Sequence, residues 1–90
     1  MDFDWDSGKA AANERKHGIS FEVAVEVFAD ENRVDFDVTH EADGEVIVGH
    51  LDDRLVTLVY TVRQGRIRLI SARPPNEQEV RRYGYRYLYP

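Results

Sequence analysis

LVTLVYTVRQGRIRLISARPP, residues 55–75, is the stretch on which the fold of this 90-residue chain turns. Two runs rich in β-branched and apolar residues flank Gln64-Gly65, a spacing that predicts an antiparallel hairpin closed by a two-residue turn. That turn sets Arg63 opposite Arg66, Val62 opposite Ile67, Thr61 opposite Arg68, Tyr60 opposite Leu69 and Leu58 opposite Ser71. Alternation then gives Val56, Leu58, Tyr60, Val62, Ile67 and Leu69 a common core face. Arg63, Arg66 and Arg68 fall on the other face with Thr57 and Thr61. Arg73 has core parity but stands at the strand end beside Pro74 and Pro75, where a long side chain reaches the rim. Facing like charges are unfavourable, so the cluster calls for an anion or a carboxylate among the arginines. A bulge near the turn would change the register and regroup them.

Working outward, RVDFDV (33–38) alternates apolar with charged residues as a half-buried strand does, and EVIVGH (45–50) is a short apolar run joined to the hairpin by an LDDR loop. Upstream, Asp6 caps a helix from Ser7 that Gly18 ends, and Ser20 caps a second one carrying Phe21, Ala24, Val27 and Phe28 at helical spacing. Downstream, Asn76 with Glu79 resembles a capping box opening a last helix that Gly84 closes, leaving YRYLYP (85–90) as an arm. The expected fold is one α+β domain over residues 1–90: two N-terminal helices, a four-stranded antiparallel sheet and a C-terminal helix. The helices are expected on one face of the sheet and water on the other. Phe3 and Trp5 are expected to pin the N-terminus to the sheet.

The chain has 42% hydrophobic residues, which suits one small core, and no cysteine, which excludes disulfides and thiolate chemistry. No stretch is long and apolar enough to span a bilayer, so a cytoplasmic protein without membrane contact is expected. Its net charge of -5 is divided: residues 63–90 hold seven arginines and two glutamates, a net of +5, which leaves -10 for residues 1–62. Either the two parts neutralise each other, or the basic end binds an anion such as a phosphate backbone. Duplex DNA bound by this chain alone is disfavoured by its negative total charge.

The combination of Trp5-Asp6, Lys9, Asn13, Lys16-His17-Gly18-Ile19-Ser20-Phe21-Glu22, Ala24 and Val27-Phe28 resembles the BrnT family of bacterial toxins. So do Gly44-Glu45, Gly49, Tyr60-Thr61, the run Arg66 to Arg73, and Glu79 with Arg82-Tyr83. The resemblance covers most of the chain. It implies a RelE-like fold and a metal-independent ribonuclease toxin of a type II toxin-antitoxin system, which cleaves RNA to inhibit translation and growth. It also implies a cognate BrnA-like antitoxin, a ribbon-helix-helix DNA-binding protein that neutralises the toxin and alone brings it to operator DNA. The chain departs from the family pattern where Val46-Ile47-Val48 follows Gly44-Glu45 and where Pro74-Pro75-Asn76-Glu77 follows Arg73, positions at which the family is more basic. A catalytically weak or inactive module that captures an antitoxin and tunes operon repression is therefore the alternative.

Cleavage without a metal requires a group that takes the 2′-hydroxyl proton and cations that neutralise charge on the phosphate. Arg68 and Arg73 are the candidates for the second task, with Arg63, Arg66, Lys9 and Lys16 as further phosphate ligands, because guanidinium matches phosphate oxygens in bidentate fashion. Their competing role is salt bridging, for example to Asp35 or Asp37. His17 fits either a general acid or base or a cap on the last carbonyls of the first helix. Tyr83 fits either substrate orientation or helix packing. His40 is open between the same roles, and His50 is expected to be solvated beside the LDDR loop. The histidine spacing does not argue for a metal site, and no cofactor is expected. Tyr85, Tyr87 and Tyr89 suit a partner interface, where tyrosine concentrates.

Overall fold

The computed structural model describes residues 2–36 and 44–88, the side chains of 86–88 excepted. Strands β1 (Asp2–Trp5), β2 (Val34–Phe36), β3 (Glu45–Leu51), β4 (Arg54–Arg63) and β5 (Arg66–Arg73) form one sheet in the order β1-β5-β4-β3-β2. Helix α1 (Ser7–His17) joins β1 to α2 (Phe21–Ala24), which runs into a 3-10 turn (Val25–Ala29); α3 (Glu77–Leu88) follows the sheet.

The expected antiparallel ladder is present from β2 to β5, but β1 adds a fifth strand, parallel to β5. Four residues are too few to show a period of two, and no local turn announces a parallel neighbour. Phe3 and Trp5 pack against the core, as expected of them, while Asp2 and Asp4 pair in register with Arg66 and Arg68. The second N-terminal helix is also shorter than expected, a single α-turn continued as 3-10. Val23, Val25 and Val27 crowd its backbone, and β-branched residues extend a helix poorly.

The caps follow the sequence. Asp6 accepts the Lys9 N–H at 2.8 Å, Ser20 accepts the Val23 N–H at 3.3 Å, and Gly18 ends α1 in the left-handed region. Asn76 and Glu79 exchange side-chain and backbone hydrogen bonds, both 2.8 Å, in a reciprocal capping box. Gly84 does not close α3, which continues to Leu88, so Tyr85 to Leu88 are its last turn and not an arm. Burial of Tyr83 against the sheet outweighs the modest helix penalty of one glycine.

One face of the sheet carries the main core, where Ile47, Val56, Leu58, Leu69 and Ala72 meet Phe21, Ala24 and Val27. Asn13 of α1 ties that layer down, donating to the carbonyls of Ala72 (2.9 Å) and Ile19 (3.1 Å) and accepting the Ala72 N–H (3.1 Å). The second face is not simply wet. Helix α3 covers its β2-β3 side, burying Tyr83 with Val34 and Val48 beside Phe36 and Leu55. The contiguous Val46-Ile47-Val48 run carries that information, since a strand covered on both faces loses its alternation.

Candidate functional site

At the end of the β4-β5 hairpin, Gln64 (φ 53°) and Gly65 (φ 76°) both occupy the left-handed region, the geometry of a two-residue turn whose twist matches the flanking strands. Arg63 pairs with Arg66 and Thr61 with Arg68, as the sequence predicts. The like charges are relieved from β1, not from β2. Asp4 places one carboxylate oxygen 3.3 Å from Arg68 Nη1 and the other 3.8 Å from Arg66 Nη1. One carboxylate is thus shared by two guanidinium groups. Asp4, Arg63, Gln64, Arg66 and Arg68 line an open depression of about 430 Å³.

Farther along β5 the register changes. Tyr60 pairs with Leu69 but Val59 pairs with Ser71, so Ile70 is left over as a bulge and Leu58 faces Ala72 instead of the expected Ser71. Beyond the bulge the parity is reversed: Arg73 pairs with Thr57 and turns to the face covered by α3. There its guanidinium holds Glu79 in a fork, Nη1 to Oε1 at 2.9 Å and Nη2 to Oε2 at 3.0 Å. Glu79 Oε1 also accepts from Thr57 Oγ1 at 2.9 Å and from the Asn76 N–H at 2.8 Å. Burial raises the Glu79 carboxyl, but the hydrogen bonds of Arg73, Asn76 and Thr57 outweigh it and hold the group below its ordinary value.

One turn on along α3, Tyr83 stands between two further groups. Its hydroxyl donates to Asp30 Oδ2 at 2.7 Å and lies 2.8 Å from His50 Nδ1. Asp30 Oδ2 also accepts the His50 N–H at 2.7 Å, and Oδ1 accepts the Asn32 N–H at 2.8 Å. Burial raises the Asp30 carboxyl, yet these donors together leave it below the usual range. Gly49 makes the approach possible: a Cβ there would sit 2.9 Å from Val27 Cγ1 and 3.2 Å from Asp30 Oδ2.

The predicted site residues therefore do not converge. Arg68 and Arg73 register with Thr61 and Thr57 of β4, about 13 Å apart along the strand. His50 registers with Leu55, about 20 Å along β4 from the position opposite Arg68. His17, Lys9 and Lys16 lie on α1, over the main-core face and away from Tyr83 and Arg73; both lysines are exposed. Arg73 bridges Glu79, a partner the sequence reading did not name for it. Tyr85 is 68% exposed near the end of α3. Tyr87 lies in the final turn, its side chain outside the described residues, as are Asp37, His40 and Tyr89. His50 and Asp30 were not expected together: 20 residues separate them, and neither lies in a local motif. Glu79 was legible only as a capping residue and as part of the family pattern.

Fold and surface define a small α+β domain that turns a shared-carboxylate arginine cluster to solvent and locks a second set of polar side chains under a helix. This chain belongs to the BrnT family, described as the ribonuclease toxin, BrnT, of type II toxin-antitoxin systems, whose pattern matches residues 5–79. The fold is also that of the Brucella abortus ribonuclease toxin, BrnT, known from a 1.1 Å crystal structure: the TM-score is 0.68 at 24% identity, over 86% of this chain and 99% of that one. Among curated proteins, none matches this chain significantly. No helix of the described residues is long and apolar enough to cross a membrane.

Proposed function

We propose that this chain is an active endoribonuclease that cuts RNA in a metal-independent reaction, slows growth, and is neutralised by a cognate ribbon-helix-helix antitoxin in the cytoplasm. The observation that carries the reading is the arginine face. Arg63, Arg66 and Arg68 cluster on a solvent-facing surface with Asp4 shared between two of them, in a chain that is otherwise acidic. A phosphate can replace that carboxylate with better bidentate geometry. Cleavage by the RNA's own 2′-hydroxyl would leave a 2′,3′-cyclic phosphate. Tyr85, exposed near the end of α3, and Val80, 45% exposed on the same helix, suit the antitoxin interface, which Tyr87 and Tyr89 would extend.

One observation favours the second reading, a binding module without catalysis: Arg73, the other candidate for phosphate stabilisation, is committed to Glu79. The test is induced expression of wild type beside Arg66→Ala/Arg68→Ala, with growth and total RNA followed. Arrest with RNA loss in wild type, relieved in the double variant while antitoxin binding persists, is expected. Folded, soluble wild type that neither arrests growth nor degrades RNA would assign the chain to antitoxin capture. Arg73→Ala is a poor probe here, because it strips a buried carboxylate of its partner.

A further inference from the structure

We infer that His50 is the general base of the cleavage reaction, aimed by Tyr83 and Asp30, and that the arginine face is a remote grip on the RNA; this rests on the ribonuclease reading above. The tautomer follows from the hydrogen bonds. Tyr83 has one hydroxyl proton and donates it to Asp30 Oδ2 at 2.7 Å. Toward His50 Nδ1, 2.8 Å away, the same oxygen must therefore accept, which requires the proton on Nδ1. The lone pair of neutral His50 is then on Nε2. That nitrogen has no hydrogen-bond partner among the described residues, and the side chain is 48% exposed.

The arrangement has the parts of an oriented base. Tyr83 fixes the ring, and the Asp30 carboxylate, 4.0 Å from His50 Nδ1, stabilises the imidazolium that forms when Nε2 takes a proton. Asp30 is itself fixed by the backbone N–H groups of His50 and Asn32. Among the described residues, the groups in contact with the ring are the Asp30 carboxylate from the turn after Ala29 and the Tyr83 phenol from α3; across the ladder β4 presents Leu55. In the reaction His50 Nε2 takes the 2′-hydroxyl proton, the 2′-oxygen bonds to phosphorus and the bond from phosphorus to the 5′-oxygen breaks. The 5′-oxygen takes a proton from water, and the hydroxide left behind takes the proton from the imidazolium. The products are a 2′,3′-cyclic phosphate and a 5′-hydroxyl, with His50 neutral again.

The distance between the two regions gives the assignment its content. Arg68 and His50 are about 20 Å apart along β4, too far to meet on one phosphate. The arginines then contribute binding to a part of the RNA that does not react, and His50 contributes to the chemical step.

Purified protein and an RNA oligonucleotide separate the roles. His50→Gln is expected to lower kcat about 10²- to 10⁴-fold with little change in KM. It should also abolish the acid-side limb of the kcat/KM profile, on which wild type gains activity as the base loses its proton. Tyr83→Phe should lose less, and Arg66→Ala/Arg68→Ala should raise KM. Nitrogen NMR of wild-type imidazoles provides a readout independent of any variant's folding: His50 is expected in the Nδ1–H form, and an Nε2–H form would overturn the inference. So would a His50→Gln protein that cleaves at the wild-type rate with the limb intact, since the contact would then only anchor α3. Absence of cleavage by wild type would overturn the ribonuclease reading itself, and this inference with it.

Discussion

Arg68 and Arg73 lie five residues apart on β5 and meet opposite surroundings. Arg68 is 36% exposed and shares Asp4 with Arg66 beside open solvent, whereas Arg73 is 20% exposed and grips a Glu79 that is itself 6% exposed. A single bulged residue, Ile70, and a covering helix produce the difference. The bulge decides which face Arg73 joins, and α3 decides whether that face is wet. The same side chain is thus an available cation at one end of a strand and a structural strut at the other.

The strongest way to break this contrast is Glu79→Ala. Removing the carboxylate leaves Arg73 and Thr57 without their shared acceptor under α3, and breaking such a buried pair costs about 3–5 kcal/mol. Denaturant unfolding should show a loss of that order. Arg68→Ala should stay within about 1 kcal/mol, as expected of a half-exposed pair. If the two losses were equal, the distinction between strut and surface would fall.

Gly49→Ala tests the Asp30-Tyr83-His50 side of the same helix. The added methyl would press on Val27 and the Asp30 carboxylate, and the 3-10 turn must move to admit it. Overpacking of this kind costs about 1–3 kcal/mol. A thermal melt unchanged from wild type would show that the turn yields freely and that Asp30 is not held where the hydrogen bonds put it.

Much of this architecture is legible in the residues and part of it is not. The hairpin turn, the register next to it, the helix N-caps and the core face are local properties, written in Gln64-Gly65, Asp6, Ser20, Asn76 and the alternation of β4. The β1 strand and the bulge are not local. A parallel neighbour has no connecting turn to announce it, and Ile70 differs in no visible way from a regular strand residue. The polar network under α3 joins residues 30, 50 and 83, which only the finished topology brings together. What obscured the site was therefore a change of parity after Leu69 and the docking of a helix on a face expected to be wet.

Acid should weaken the region under α3 by a smaller amount. Glu79 and Asp30 both have folded-state carboxyls depressed by their donors, so the stability they confer is complete above the ordinary carboxylate range. It begins to fade as the pH drops to about 4 and is lost as the pH falls through the depressed values. Glu79→Gln and Asp30→Asn should each flatten that acid limb of stability against pH. A limb as steep in either variant as in wild type would mean that these donors do not hold the carboxylate in the folded protein.

The smallest effect on stability should come with the clearest effect on RNA. If Arg66 and Arg68 each neutralise one phosphate of a single strand, replacing either by alanine reduces the slope of log affinity against log salt by about 0.7. Asp4→Asn should act in the opposite sense, tightening RNA binding at low salt, because the carboxylate that competes with phosphate for both guanidinium groups is gone. Lys9 and Lys16 provide the internal comparison: they are exposed on α1 beyond the main core, on the other side of the sheet. Their alanine variants should leave the slope unchanged if RNA follows the arginine face alone. A slope that falls equally for lysine and arginine variants would mean that the strand wraps the edge of the sheet at β1. The depression beside Gln64 would then be one stop on a longer track, not the grip itself.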